Sequence, residues 1–309
     1  MHRAAPGRTV RRKPATTRKA PAAPASTREA LVPAPSEQAP EAASSVLPEL
    51  PARSWHGADA AVVGTSHLRA NPPRRCQDVA LADTGGRALA IVADGAGSAA
   101  VSHLGAAAVV AGVRRLCRTL ESDLALTLDA PNATSDQAKA LALRIVAHAQ
   151  GIVDDLAEEH LRDGQDFRCT LLVWLTGRQR AFWLKVGDGV LIAERDGECL
   201  CVGPAGKGEF ANQTCFIGPH LREGQWAWGE LDANRLSGLA AMSDGAAERL
   251  VASDASRVAP AMVKLLRGVA EARVGRREVF ALLAEADSWM GTSGDDKSLA
   301  LLAEASSPA

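Results

Sequence analysis

The chain has 309 residues, 47% of them hydrophobic and 23% charged, with a formal net charge of -1 at pH 7. This is the composition of a globular protein that can bury a large core. The near-neutral balance argues against a nucleic-acid partner, whose phosphates call for a strongly basic domain, and no run reaches the ~18 consecutive apolar residues of a membrane span.

Residues 1–28 hold eight Arg or Lys and no acid, and residues 29–51 remain rich in Pro, Ala, Ser and Glu without helical periodicity. Residues 1–53 therefore read as a disordered basic tail and linker, ahead of one folded domain over 54–305. Arg11-Arg12 is not followed by an apolar segment, so an export signal is not expected. The six cysteines sit mostly in apolar runs rather than at zinc-like spacings, which suits reduced thiols and a cytoplasmic protein.

Apolar runs with strand character follow at 60–66 (AAVVGTS), 78–84, 87–94, 170–176, 180–188, 189–196, 197–203, 239–244 and 298–304. Several are separated by short turns such as DTGGR at 83–87 and RDGE at 195–198, a spacing that makes hairpins and hence antiparallel sheets. Helical periodicity marks 102–120, 136–161, 256–272 and 276–289. The expected fold is α+β: a four-layer α-β-β-α sandwich of two antiparallel sheets flanked by helical pairs.

Four places set an acid at the edge of a strand beside a turn: Asp78, Asp94, Asp244 and the pair Asp295-Asp296. Hard divalent cations take oxygen ligands, and acids at the ends of adjacent strands can converge on one site. Each Asp-Gly taken singly is a common turn, and Asp163-Gly164 and Asp196-Gly197 read as plain turns. No cysteine has an arginine six positions later, and CVGPAGKGE at 201–209 lacks the Ser or Thr of a phosphate-binding loop, so cysteine-based and nucleotide chemistries are set aside.

In order, Arg75-Cys76-Gln77-Asp78, Val92-Ala93-Asp94-Gly95, Cys169-Thr170-Leu171, Val186-Gly187-Asp188-Gly189, Ser243-Asp244-Gly245 and Asp295-Asp296-Lys297-Ser298 resemble the six motifs of the metal-dependent protein serine/threonine phosphatases of the protein phosphatase 2C type. Gly206 to Phe216 resembles a flap segment of a bacterial branch of that family. The resemblance implies hydrolysis of phosphoserine and phosphothreonine on proteins by a hydroxide bridging two Mg²⁺ or Mn²⁺ ions.

By that resemblance Asp94 bridges the ions, the Gly95 carbonyl joins one of them, Asp244 and Asp295 complete the set, and Asp78 holds a metal-bound water. Gln77 stands where many members carry Glu, as a neutral ligand, and Ala96 where some carry a general-acid His. His67, Arg74 and Arg75 are the candidate phosphate contacts, Asp166 and Glu248 the nearest candidates for a third ion, and Asp188 a turn residue. The partners implied are a phosphoprotein and the serine/threonine kinase it comes from, with the phosphatase a monomer. Two alternatives stand beside this reading: a binding module that keeps the fold without the chemistry, and a two-metal phosphatase acting on a small phosphorylated molecule.

Overall fold

The computed structural model describes residues 53–204 and 214–306. The predicted tail lies outside the described residues apart from Arg53, as does most of the flap-like segment 206–216. In chain order the described elements are β1 (Trp55–Val62), α1 (Thr65–Arg69), β2 (Asp78–Asp83), β3 (Leu89–Asp94), α2 (Ser102–Thr119), α3 (Glu121–Leu124), α4 (Ser135–His160), β4 (Leu171–Leu175), β5 (Arg180–Val186), β6 (Val190–Arg195), β7 (Glu198–Val202), β8 (Ala227–Asp232), β9 (Leu236–Met242), α5 (Asp244–Leu250), α6 (Pro260–Ala270), α7 (Arg276–Ala284) and β10 (Lys297–Glu304).

The strands form two five-stranded sheets, ordered β1-β10-β9-β6-β7 and β2-β3-β4-β5-β8, and every pairing is antiparallel. Side chains alternate across each strand, so two covered faces need apolar residues at every position. In β3, Ala90 and Val92 join the layer between the sheets, while Leu89, Ile91 and Ala93 face α2 and α4. In β10, Ala300 and Leu302 fill that same middle layer, while Leu299, Leu301 and Ala303 pack with Met262, Leu266, Val279 and Leu283 of α6 and α7. This is why the central strands read as unbroken apolar runs although the sheets are antiparallel.

Trp174 locks the two sheets together: it is fully buried, and its indole Nε1 donates to the Ala240 carbonyl of the opposite sheet at 2.9 Å. Truncating such a side chain to alanine costs about 3–5 kcal/mol. The α4 start is fixed by a reciprocal cap, in which the Gln137 N–H donates to Thr134 Oγ1 and the Thr134 N–H donates to Gln137 Oε1.

The expected fold class holds, with shifts in individual elements. The strand expected at 60–66 runs instead over Trp55–Val62, and Thr65–Arg69 turn into α1. Gly57 and Asp59 dilute its apolar signal, and pairing with β10 from Trp55↔Glu304 to Val62↔Lys297 decides its bounds. The edge strand β8 lacks an obvious pattern because Gly229 leaves room for the Trp183 ring, 2.7 Å from where a Cβ would stand. Arg53 already belongs to the domain, its guanidinium donating to the Glu304 carboxylate and to the carbonyls of Ala233 and Leu236.

Candidate active site

Asp78 opens β2 and Asp94 closes β3, and the antiparallel register sets them directly opposite each other. Like charges so placed repel, and neither carboxylate has a salt-bridge partner among the described residues. From the other sheet, Asp244 begins α5 just beyond β9, and Asp295 stands two residues before β10. Those two are held in step by Ser243 and Ser298: the Ser243 N–H donates to the Ser298 carbonyl at 3.1 Å, and the Ser298 N–H donates to Ser243 Oγ at 3.0 Å. The sandwich thus brings four carboxylates from two sheets to one edge.

The backbone around them is pinned. The Asp94 N–H donates to Thr170 Oγ1 at 2.9 Å, and the Thr170 N–H donates to the Asp94 carbonyl at 2.8 Å. A Cβ on Gly95 would stand 2.8 Å from the Ser102 side chain, and one on Gly245 would collide with the Asp296 carbonyl. Glycine at both places is a packing requirement of the close approach between strand end, helix and loop.

Both carboxylate oxygens of Asp78 and the Gln77 Oε1 are buried without a hydrogen-bond partner. Uncompensated burial of a carboxylate is costly. Burial raises the Asp78 pKa well above the carboxylate range, with Asp296 adding to the shift against the hydroxyls of Ser243 and Ser298. Those hydroxyls lie near without an aligned bond, so burial prevails. Burial raises Asp94 further still, followed by the charges of Asp78, Asp244 and Asp295, and Asp244 is raised by burial and then by Asp188 and Asp295. Orphaned acceptors and mutually repelling acids form a donor set that fits hard divalent cations. The carboxylates of Asp94, Asp244 and Asp295, with Gln77, line an open cavity of about 430 Å³.

His67 and Arg74 also line this cavity, whereas Arg75 is not among its lining residues. Asp296, 2% exposed, accepts the Gly64 N–H on Oδ1 and the Gln77 N–H on Oδ2, both at 2.6 Å. His67 Nδ1 lies 2.9 Å from Asp296 Oδ2 but off the direction of a good hydrogen bond, an electrostatic contact that faces the ring into the site. His67, Asp295 and Asp296 offer ligand atoms within 4.8 Å of one another, but Asp296 already receives two backbone N–H groups and acts as the support of this corner.

Asp166 pairs with Arg162 at 3.2 Å, and Glu248 accepts the Ser293 N–H at 2.8 Å; neither lines the cavity. Asp188 does line it, and its Oδ2 accepts the Thr214 hydroxyl at 2.7 Å. Sequence reasoning gave Asp188 only the turn, and Gly187 does take φ 105° there. The missed signal was an apolar strand delivering Gly-Asp-Gly, the pattern that marked Asp94 and Asp244. By contrast Asp163 caps Gln165 and Asp196 sits at φ 54° beside Arg235, both as plain turns.

Comparison with known proteins gives a consistent answer. The family model described as protein phosphatase 2C matches residues 63–284. No curated protein matches the sequence. Among solved structures, the serine/threonine phosphatase PstP/Ppp of Mycobacterium tuberculosis is similar at 17% identity and a TM-score of 0.53, covering 82% of this chain and 99% of that one. PppA, a regulatory component of the T6SS in Pseudomonas aeruginosa, is similar at 15% identity and a TM-score of 0.53, covering 81% and 97%. Stp1 from Staphylococcus aureus is similar at 11% identity and a TM-score of 0.52, covering 81% and 95%. The catalytic domain of PstP has been solved with two manganese ions.

Proposed function

The chain belongs to the protein phosphatase 2C family of protein serine/threonine phosphatases, and from that premise we propose which of its residues carry out the hydrolysis. The observation that carries the reading is the convergence of Asp78, Asp94, Asp244 and Asp295 on one sheet edge, with both oxygens of Asp78 buried and unpartnered. Two divalent cations, Mg²⁺ or Mn²⁺, fit this set: Asp94, Asp244 and Asp295 would hold them, with the Gly95 carbonyl and Gln77 available in the same wall. Asp188, beside Asp244, is a better placed candidate for a further ion than Asp166.

Bound cations neutralise phosphoryl oxygens and make water acidic enough to lose a proton near neutral pH. Asp78, opposite Asp94, would hold the attacking water, and Arg74 and His67, which line the cavity, would orient the phosphate through its oxygens. The bond from phosphorus to the seryl or threonyl oxygen breaks as the bond to the water oxygen forms. Ala96 has no proton to give, so the leaving oxygen takes its proton from water in the cavity. Four converging acids are expensive to keep in a fold used only for binding, which favours catalysis over a binding module.

The finer reading is a monomeric enzyme of the bacterial cytoplasm opposing a serine/threonine kinase. Its basis is the family, the reduced cysteines and the fact that no helix among the described residues is long and apolar enough to cross a membrane. Hydrolysis of p-nitrophenyl phosphate and of a phosphothreonine peptide tests the mechanism, with Mn²⁺, with Mg²⁺ and with EDTA, alongside Asp94→Ala and Asp244→Ala. Turnover is expected only with metal and only in the wild type; turnover that survives EDTA and both substitutions overturns the assignment. Residues 54–305 form the catalytic domain in this reading, so removal of residues 1–50, which spares Arg53, is expected to leave turnover nearly unchanged.

A further inference from the structure

The wall of the cavity formed by Ala96 and Gly97 is gripped from both sides by arginines. Arg74 Nη1 donates to the Gly97 carbonyl at 3.1 Å, and Arg168 Nη2 donates to Ser98 Oγ at 2.7 Å. The Arg168 backbone closes the same turn, its carbonyl accepting the Ala96 N–H at 3.1 Å. The Arg168 guanidinium is further fixed by Nη1 bonds to Gln165 and lies 5.6 Å from the centre of the Phe216 ring, which itself lines the cavity. Held by four contacts with three residues, it loses little conformational freedom when a ligand arrives.

Neither arginine has a carboxylate partner among the described residues. That separates them from Arg87, Arg114, Arg118 and Arg162, whose charges are each spent on an Asp or Glu. The cavity floor is acidic, whereas the rim beside Ala96–Ser98 is basic, with no carboxylate on its two arginines among the described residues. Arg74 lines the cavity itself, and Arg168 holds the next residue of the same turn, just beyond Gly97.

We propose that Arg168, positioned by Ser98, Gln165 and Phe216, selects phosphoprotein segments that carry an acidic residue, or a second phosphorylated one, next to the phosphoserine or phosphothreonine. This rests on the phosphatase reading and adds its substrate class. The arginine acts on the flank rather than on the reacting atoms, so it governs KM for peptides and leaves hydrolysis of a small aryl phosphate alone. Charge pairs at a solvated rim are modest, and the expected preference is roughly threefold to tenfold in kcat/KM, weakening as salt rises.

The test uses the full chain with Mn²⁺, p-nitrophenyl phosphate, and two phosphothreonine peptides of equal length whose flanks are acidic in one and basic in the other. The wild type is expected to favour the acidic peptide through KM. Arg168→Gln is expected to abolish the preference with p-nitrophenyl phosphate turnover retained, and Arg168→Lys to keep part of it. Arg168→Glu is expected to reverse the preference toward the basic peptide, a gain that misfolding cannot produce. Equal kcat/KM for the two peptides in the wild type, or an acidic preference that survives Arg168→Glu, overturns the proposal while the aryl phosphate is still hydrolysed. Absence of turnover on every substrate overturns the phosphatase reading, and this proposal with it.

Discussion

Strand β2 carries an aspartate at each end, and the two have opposite fates. Asp83, at the far end, sits between Arg114 at 2.5 Å and Arg118 at 2.7 Å, and these partners hold its carboxyl well below the usual carboxylate range in spite of partial burial. Asp78, five residues away at the other end of the strand and at the site edge, has no cation beside it among the described residues and is pushed upward by burial. The same amino acid on the same strand is thus structural where arginine meets it and, in the proposed mechanism, functional where no cation among the described residues does. Nearby, Arg87 repeats the structural arrangement with Glu121 and Asp129.

The largest expected break in this contrast comes from Asp94→Asn. Turnover on p-nitrophenyl phosphate should fall by at least ~10³-fold, because a carboxylate proposed to hold the cations is lost. In the wild type, Mn²⁺ should raise the melting temperature by relieving the repulsion among the four acids, and in Asp94→Asn most of that rise should disappear. A melting temperature indifferent to Mn²⁺ in the wild type would contradict the functional half of the comparison.

A smaller effect is expected from Asp188→Asn, which leaves the turn but weakens the acidic wall near Asp244. The Mn²⁺ concentration for half-maximal activity should rise roughly tenfold with little change in maximal rate, as for loss of a supporting group at a metal site. A change in maximal rate with metal dependence unaltered would place Asp188 outside the metal set.

The smallest effect belongs to the structural end. Asp83→Asn should leave activity untouched and lower stability at pH 7 by no more than about 1 kcal/mol, since its partners are partly solvated. Because the folded-state pKa of Asp83 is depressed, its contribution is present above the usual carboxylate value. It is lost as pH falls through the folded value, so wild type and variant should converge progressively below about pH 4 in thermal melts.

Much of this was readable in the residues. Unbroken apolar runs of strand length joined by short turns require antiparallel sheets covered on both faces, and Asp94-Gly95 and Asp244-Gly245 stand out because each ends such a run. The 26-residue α4 announced itself by periodicity, whereas its Thr134–Gln137 cap emerged only in the structure. These features are local: backbone geometry, side-chain alternation and capping act over a few residues.

What the sequence left open depends on segments far apart in the chain. Whether an aspartate is a turn, a support or a ligand is set by what packs against it, as Asp188 in the cavity wall and Asp166 on Arg162 illustrate. Asp296 reads like a second copy of Asp295, yet only the docking of Gly64 and Gln77 makes it the satisfied support of the pair. The apolar pattern determined the sandwich, because burial is written in each strand. The electrostatic role of each acid was decided by the tertiary structure, because a charge takes its meaning from neighbours that only folding supplies.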